Sequence, residues 1–350
     1  MGLPQFSELS LWANLAIFGG AAIFVWFAGA RLAGYADALA ARTEMSQAFL
    51  GMVVLGVATS LPEIATTVTA ARIGNTGLVS GNLFGGVAMQ VAILAIVDLI
   101  GVRGALTYFT PHPVLLFQGV MLLLLLALAL AGAVAGEPLS IMGVGFTPAL
   151  LLIGYLVTLR LSQGGDYLPR WRATNEPELQ EGEQGEDEDR FGETSNRRLY
   201  LYAALAGLII LAAGWTLAMT GDALAEQTGL GASFVGVALV AVSTSLPELS
   251  TTLAAVRRGN YEMAVSNIFG TNCLEMALFF LADLCYREGP ILAATDRSAL
   301  FAGTLGMVVT SIFLLGLLER RDRTVLGMGI DSLLALIAYL AGLWVLYYLR

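Results

Sequence analysis

The chain has 350 residues, of which 57% are hydrophobic and only 13% are charged. Soluble domains carry roughly twice that share of charged residues, so this composition excludes an ordinary soluble domain. The formal net charge of −9 speaks against nucleic acid as a partner, because binding to nucleic acid depends on a basic surface.

Apolar runs of about 20 residues recur along the chain, and each is long enough to cross the hydrocarbon core of a lipid bilayer. They predict an all-α polytopic membrane protein with ten transmembrane helices. The opening ten residues contain no basic residue, so they do not resemble a signal peptide, and we expect the first span to be retained. The predicted spans are 11–29, 49–71, 77–100, 113–134, 141–161, 199–218, 234–256, 261–284, 298–318 and 325–349.

The basic residues predict how the chain is oriented in the membrane. All 18 of them are Arg, and the ten spans divide them into fourteen on one face and four on the other. Because cytoplasmic loops carry the basic excess, both termini are expected outside. The absence of Lys together with the acidic balance favours a GC-rich or salt-adapted prokaryote, and we expect the protein in a prokaryotic cytoplasmic (inner) membrane. The sparse face carries Arg72, Arg287, Arg297 and Arg350.

Residues 162–198 form the long polar stretch of the sequence. Their central segment, "EPELQEGEQGEDEDRFGET", is strongly acidic and has few apolar residues. This composition favours a cytoplasmic linker that is disordered or loosely ordered. For its role, the composition favours a solvated tether over a segment that regulates transport or gathers cations. The linker separates two halves, 1–161 and 199–350, which each contain five predicted spans.

The two halves contain related sequences. Residues 51–100 align without a gap with residues 236–285, at a shift of 185, and nineteen of the fifty pairs are identical. Because each half has an odd number of spans, the second copy enters the membrane in the opposite orientation. This predicts two inverted five-helix repeats, the architecture of many secondary transporters, with the substrate site at the midplane. A duplicated scaffold is the alternative, but packing alone would preserve apolar faces rather than a polar stretch.

Each repeat places a Pro and a Glu together near the middle of a predicted span. The sequence "TSLPE" occupies both 59–63 and 244–248. A charge at that depth costs roughly 3 kcal/mol, and no Arg lies at a comparable depth in any predicted span. The carboxylates of Glu63 and Glu248 therefore need each other, a proton or a bound cation as a partner.

Pro62 and Pro247 predict a break in these two spans, because Pro lacks the N–H that would bond the carbonyl four residues earlier. Irregular backbone at this depth is tolerated where it lines a cavity. The freed carbonyls, with carboxylates and hydroxyls beside them, form a set of hard oxygen ligands suited to Ca²⁺ or Na⁺. The hydroxyl residues are Thr59, Ser60, Thr244 and Ser245.

The next span of each repeat adds one polar side chain at matched depth. Gln90 follows Glu63 by 27 residues, and Glu275 follows Glu248 by the same number. The predicted site thus contains three carboxylates and one amide, with a formal charge of −3. In magnitude, this charge exceeds that of one Ca²⁺ and equals that of three monovalent ions. If the site holds either Ca²⁺ or monovalent ions, but not both at once, the protein is expected to exchange one for the other.

At these residues the sequence resembles the cation/calcium antiporter superfamily, and its sodium/calcium exchangers in particular. The motifs that carry the resemblance are "TSLPE" in both repeats and "SNIFGTN" in the second. The resemblance covers essentially the whole chain, including the ten-span layout and the central cytoplasmic linker. It implies that Glu63 and Glu248 form a central Ca²⁺ site together with the carbonyls of Thr59 and Thr244.

The resemblance also implies flanking Na⁺ sites, formed with the help of Ser60 and Ser245 and of the carbonyls near Gly56 and Ala241. It further implies that the second, third, seventh and eighth helices form the ion-binding core, across which the first and sixth slide to switch access.

Several positions depart from the family pattern. The second repeat has Thr271 and Asn272 where the first has Gly86 and Val87, so one flanking Na⁺ site lacks a hydroxyl ligand. The side chains at 90 and 275 are longer than the usual amide and acid. These departures leave open whether protons replace some or all of the sodium, because clustered carboxylates share protons readily.

Residues and resemblance together predict an antiporter that exchanges Ca²⁺ for Na⁺ by alternating access, with no cofactor and no enzymatic activity. An H⁺-coupled antiporter for Ca²⁺ or another cation, with the same fold, is the nearest alternative. A cation channel fits the two discrete broken repeats less well. A membrane-embedded hydrolase built on the paired Glu lacks a supporting His, Cys or metal-ligand cluster.

Two further pairs of matched residues carry weaker predictions. Asn82 and Asn267 are expected to cap or bridge the broken helices, with simple helix–helix hydrogen bonding as the alternative. Asp98 and Asp283 lie at predicted span ends, where we expect solvated interfacial carboxylates.

Overall fold

The computed structural model describes residues 6–40, 42, 56–110, 112–141, 143–162 and 194–349. Most of these residues are helical. The α-helices, in chain order, are α1 (Leu11–Ala40), α2 (Gly56–Thr59), α3 (Leu61–Arg72), α4 (Thr76–Gly101), α5 (Pro113–Ala135), α6 (Phe146–Ser162), α7 (Asn196–Thr228), α8 (Ala232–Val235), α9 (Ala241–Thr244), α10 (Leu246–Arg257), α11 (Tyr261–Cys285), α12 (Arg297–Glu319) and α13 (Ile330–Leu349).

Within the described ranges, seven helices are long and apolar enough to cross a membrane, and the bent pair Ala232–Thr244 and Leu246–Arg257 adds an eighth candidate span. This confirms a helical polytopic membrane protein. The predicted count of ten is not reached on this criterion for two reasons. The apolar helix α6 is only 17 residues long, and residues 49–55 of the second predicted span lie outside the described part of the chain.

Two hairpins shift the start of predicted spans. Strands β1 (Ser140–Ile141) and β2 (Val144–Gly145) pair in antiparallel fashion directly before α6, and β3 (Thr324–Val325) and β4 (Met328–Gly329) do the same before α13. The predicted spans 141–161 and 325–349 therefore begin about one turn too early. The hydropathy of the sequence does not reveal these turns, because the residues around them are apolar. Gly143 and Gly327 adopt positive φ in the turns.

Both Pro-containing spans are broken where the sequence predicts. The first pair of helices is interrupted at Ser60 and the second at Ser245, and in each case Pro follows at the start of the next helix. Pro at this position is tolerated because the first N–H groups of a helix have no intrahelical partner. The second broken span bends by 43°. It also contains a π-helical segment, Gly236–Val240, before the break, and π-helical turns often occur at functional sites.

The first helix of each half packs against the broken span of the other half. A Cβ added to Gly29 of α1 would lie 2.4 Å from Cγ of Pro247, and one added to Gly214 of α7 would lie 2.5 Å from Cβ of Ala65. These two glycines are themselves separated by 185 positions, the shift that relates the two repeats. Helices α1 and α7 also pack against each other.

Helices α4 and α11 are the most central. Most of their side chains are buried, whereas α1 and α13 expose much of their surface. The segment Ala232–Val240 lies directly on α4, because Gly81 and Gly85 leave no side chain between the two backbones. The polar residues in the middle of the two central helices, such as Asn82, Gln90 and Glu275, are buried in the protein interior.

The prediction for Asp98 and Asp283 was wrong, because both are buried rather than solvated. Asp98 accepts hydrogen bonds from the backbone N–H groups of Leu106 and Gly329, each at 2.9 Å. Asp283 does the same with Ile291 and Gly145, each at 2.8 Å. Each carboxylate thus binds the loop that follows its own helix and the hairpin of the other half, which satisfies backbone donors that would otherwise be buried without a partner.

Candidate functional site

The polar residues singled out in the sequence converge in the interior of the protein. All nine predicted ligands are at most 1% exposed. They come from the two broken spans and from α4 and α11, so both halves of the chain contribute. The nine are Thr59, Ser60, Glu63, Gln90, Thr244, Ser245, Glu248, Thr271 and Glu275.

The helix breaks place the two Glu residues. Each lies in the first turn after a break, directly after Pro62 or Pro247. At this end of a helix the free N–H groups and the helix dipole favour negative charge. The Thr244 hydroxyl lies beside the Glu63 carboxylate, and the Thr59 hydroxyl lies beside that of Glu248. Each half thus places a hydroxyl beside the acid of the other half.

The carboxylates lie close to one another. Glu63 is near enough to Glu248 and Glu275 for their like charges to repel, and Glu248 also repels Glu275. Neither oxygen of Glu63 or Glu248 makes a hydrogen bond of good geometry within the described chain, and Oε2 of Glu275 makes none either. Burying ionised carboxylates in this state is strongly unfavourable. The arrangement is therefore suited to positive charge delivered from outside.

A relay of side chains holds each Glu-bearing turn in place. In the first half, Asn82 Nδ2 donates to the Thr66 hydroxyl at 3.2 Å, and that hydroxyl lies 3.0 Å from the carbonyls of Pro62 and Glu63. Asn82 Oδ1 in turn accepts from the Thr244 hydroxyl at 3.4 Å. Asn82 therefore joins the turn of its own half to the hydroxyl of the other half.

The second half repeats the Asn–Thr part of this relay, whereas Asn267 Oδ1 makes no hydrogen bond within the described chain. Asn267 Nδ2 donates to the Thr251 hydroxyl at 3.2 Å, and that hydroxyl lies 3.0 Å from the Pro247 carbonyl and 3.1 Å from the Glu248 carbonyl. Each amide thus binds a side chain of a broken span, and this contact belongs to both roles considered for the Asn residues, bridging of the broken helices and simple helix–helix hydrogen bonding. The hydroxyl at 66 and 251 was missed in the sequence, although both positions are identical in the two repeats.

Gln90 and Glu275 are joined directly across the two halves. Gln90 Nε2 donates to Glu275 Oε1, which leaves Gln90 Oε1 and Glu275 Oε2 without partners among the described residues. Gly86 lies one turn before Gln90 on α4, against the Glu275 carboxylate. On α11, Thr271 and Asn272 are buried one turn before Glu275, and their side-chain polar atoms lack partners in the described chain.

The carbonyls proposed for the flanking sites are already engaged within their helices. The Gly56 carbonyl accepts from the Ser60 N–H at 3.1 Å and from the Ser60 hydroxyl at 2.6 Å. The Ala241 carbonyl accepts from the Ser245 N–H at 3.0 Å and lies 3.2 Å from the Thr244 hydroxyl oxygen. The Ser245 hydroxyl has no such bond in the described chain. The Ser60 oxygen keeps its lone pairs while its proton is donated to Gly56, so both hydroxyl oxygens are able to act as ligands.

Across the residues that the structure describes, no three His, Cys, Asp or Glu side chains come together as metal ligands. A cation at the Glu63–Glu248 pair would therefore complete its coordination with hydroxyl, carbonyl and amide oxygens. Such ligands suit hard cations, for which Ca²⁺ takes six to eight oxygens in flexible geometry.

Known proteins are similar to this chain in sequence and in fold. The model of the family described as sodium/calcium exchanger protein matches residues 13–161 and 198–348, which is most of each half. The sodium–calcium exchanger NCX_Mj, solved after soaking with Na⁺ and Sr²⁺, superposes with a TM-score of 0.62 at 18% identity, over 95% of this chain and 98% of that one. At this identity the superposition demonstrates a common fold.

Two bacterial relatives align over nearly their whole length. The putative antiporter CaxA of Alkalimonas amylolytica is 25% identical over 344 residues, which cover 93% of this chain and 97% of the relative. The inner membrane protein YrbG of Escherichia coli (strain K12) is 26% identical over 330 residues, which cover 92% of this chain and 94% of the relative.

Proposed function

Because the chain belongs to the sodium/calcium exchanger protein family, we propose that it is a secondary active antiporter that exchanges Ca²⁺ for Na⁺ across the membrane by alternating access. The observation that carries this proposal is the buried pair Glu63 and Glu248, whose four carboxylate oxygens lack hydrogen bonds of good geometry within the described chain. Ca²⁺ is the substrate that neutralises this pair, with further oxygens from Thr59 and Thr244.

Charge supports exchange rather than simple binding. Glu63, Glu248 and Glu275 together carry a formal charge of −3. One Ca²⁺ neutralises part of it, and several Na⁺ neutralise it in another way, so the two ions compete for the same carboxylates. Flanking Na⁺ sites at Ser60, Ser245 and Thr271 follow from this arrangement.

We further propose the complete architecture of ten transmembrane helices in two inverted repeats, 1–161 and 199–350, joined by a cytoplasmic linker at 162–198. Support comes from features that recur at the same shift: the two breaks, the two Asn–Thr relays and the two close-packed glycines of α1 and α7. The Arg distribution supports both termini outside, and a relative is named as an inner membrane protein.

Alternating access in this architecture assigns different parts to different helices. The broken spans with α4 and α11 hold the ions. Helices α1 and α7 pack against each other and against the broken spans, so they are placed to slide across the core. Sliding of this kind would open the Glu63–Glu248 pair to one side of the membrane at a time.

Coupling to protons is the second candidate. It is favoured by Gly86, which offers no hydroxyl for Na⁺ at a position where the second repeat has Thr271, and by three carboxylates that repel one another. Protonation of one carboxylate would relieve that repulsion without any metal ion. An H⁺-coupled antiporter would use the same site and the same conformational change.

The test is uptake of radiolabelled Ca²⁺ into proteoliposomes of the wild-type protein, with empty liposomes as the control. Vesicles loaded with Na⁺ at clamped pH are expected to accumulate Ca²⁺, and dissipating the sodium gradient with an ionophore should stop uptake. Uptake that follows an imposed pH gradient in the absence of sodium would instead establish proton coupling. Absence of uptake under either gradient would contradict the assignment of Ca²⁺ as substrate.

A further inference from the structure

The missing side chain of Gly86 makes room for an acid of the other half. A Cβ at this position would lie 2.6 and 2.7 Å from the two carboxylate oxygens of Glu275, and 2.9 Å from its Cδ. These distances are well below the roughly 3.5–4.0 Å of a normal nonbonded contact. The Glu275 carboxylate therefore lies flat against the backbone of α4 and occupies the space that any side chain at 86 would need.

The position of this carboxylate is fixed from a second direction. The Gln90 amide, one turn further along α4, donates to Oε1 of Glu275. Oε2 makes no hydrogen bond within the described chain, and both residues are fully buried. The carboxylate is thus held between a backbone surface and an amide, and one oxygen remains available.

The two halves differ at this point. The residue equivalent to Gly86 in the second half is Thr271, and the residue equivalent to Glu275 in the first half is Gln90. The second half thus contributes a long acid, and the first half lacks a side chain opposite it. From the sequence, Gly86 indicated a lost hydroxyl ligand and Glu275 indicated a side chain longer than the usual acid. The structure shows that the two changes compensate for each other in space.

We propose that Gly86 is a positioning residue that, together with Gln90, sets where Glu275 presents its free oxygen to the transported cation. The inference rests on the proposed function and deepens it, since it names what determines the geometry of the third carboxylate. It follows that a long acid at 275 requires Gly at 86.

Substitution of Gly86 by Ala should displace Glu275 rather than the helix, because the atoms that the new Cβ meets are the end of a flexible side chain. The carboxylate then leaves Gln90, and the apparent affinity for cation falls by about tenfold, the lower part of the range expected for overpacking. Glu275→Asp removes one methylene, so the acid no longer reaches α4. In that background the added Gly86→Ala should change affinity less than about twofold, because the contact is already absent.

The experiment compares wild type, Gly86→Ala, Glu275→Asp and the double variant, with Gly20→Ala as the matched control. Gly20 lies in α1 with nothing within 4 Å of an added Cβ. Purified proteins are titrated separately with Ca²⁺ and Na⁺, and the rise in the thermal unfolding midpoint gives an apparent affinity for each ion. The midpoint without cation is recorded as a second readout.

The inference expects a strong loss of affinity for Gly86→Ala in the wild-type background, a weak one in the Glu275→Asp background, and none for Gly20→Ala. Should Gly86→Ala lower the cation-free midpoint, it is expected to do so only where Glu275 is intact. An equal loss in both backgrounds, or a Gly86→Ala variant that matches Gly20→Ala, would overturn the inference and leave the proposed function standing. A wild type whose midpoint responds to neither ion would contradict the proposed function and this inference with it.

Discussion

Single hydrogen-bonding side chains determine how firmly the Glu-bearing turns are held. Thr66 and Thr251 each contact the carbonyls of the Pro and Glu that follow a break, and each receives an amide N–H from a central helix. Hydrogen bonds between membrane helices contribute about 0.6 kcal/mol on average. Their effect here goes beyond stability, because they fix the direction of a ligand-bearing turn.

Thr66→Val keeps the shape of the side chain and removes its hydroxyl. We expect the KM for Ca²⁺ to rise about three- to tenfold, since the turn that carries Glu63 loses its support from Asn82. Thr251→Val should have a similar effect on the other half. The measurement is the calcium dependence of initial uptake rates in proteoliposomes.

Thr66→Ser is the matched control for this prediction. It retains the hydroxyl and loses only a methyl group, so its KM should stay close to that of wild type. If Ser is as damaging as Val, the effect comes from packing and the relay has no part in positioning Glu63.

The sequence predicted much at the residue scale. Burial of Glu63, Glu248, Gln90 and Glu275 was predicted, because the hydropathy of the flanking residues sets the depth of a side chain in a span. The bond between Gln90 and Glu275 was not, because it joins residues that are 185 positions apart. Hydrophobic patterning reports depth and face, and it does not report which residue of the other half lies opposite.

At the scale of helices, close contacts at two glycines bring α1 and α7 onto the broken spans. A Cβ at Gly29 would lie 2.4 and 2.6 Å from Cγ and Cβ of Pro247. Unlike the end of a flexible side chain, the Pro ring cannot move aside. Gly29→Ala should therefore separate α1 from α10, and it should lower the free energy of unfolding by about 1–3 kcal/mol, together with the rate of transport.

The control is again Gly20→Ala in the same helix, which adds the same methyl group where nothing lies within 4 Å. Thermal unfolding and initial uptake rates are compared for the two variants. Indistinguishable behaviour would contradict the view that the contact between α1 and the broken span matters for folding or transport.

The buried Asp residues connect the ends of the central helices to hairpins of the opposite half. Asp98→Asn replaces an acceptor oxygen with an NH₂ group, so the N–H of either Leu106 or Gly329 loses its partner. Leaving one buried donor unsatisfied costs about 1–3 kcal/mol. We therefore expect a lower thermal unfolding midpoint for Asp98→Asn. The same is expected for Asp283→Asn, because Asp283 accepts two equivalent backbone hydrogen bonds.

Hydrogen exchange of the Leu106 and Gly329 amides provides the direct measurement, since both should exchange faster in Asp98→Asn. Glu288→Gln, at an exposed loop carboxylate, serves as the control. Unchanged protection of both amides in Asp98→Asn would contradict the proposed role of this carboxylate. The sequence predicted a solvated carboxylate at Asp98 because the end of a membrane span is ordinarily exposed to water. It did not reveal burial, because the partner Gly329 lies 231 residues away in the chain.

At the scale of the whole molecule, the two halves repeat one another in sequence and in contacts. The matched stretch 51–100 and 236–285 was sufficient to predict the breaks, the central helices and the family. The hairpins before α6 and α13 were not predicted, because short turns with positive φ at Gly143 and Gly327 interrupt sequences that remain apolar. The ten-span count, the orientation and the cytoplasmic linker remain predictions that rest on the Arg distribution and on internal symmetry.

The central claim is that one cation site is formed jointly by Glu63 and Glu248, one from each half. Sodium-driven uptake of radiolabelled Ca²⁺ into proteoliposomes tests it most directly, for wild type, Glu63→Gln, Glu248→Gln and the control Glu288→Gln. Removal of either charge from a shared site should abolish uptake, whereas Glu288→Gln should retain it. Substantial sodium-driven uptake in either Glu63→Gln or Glu248→Gln would contradict a site that needs both carboxylates.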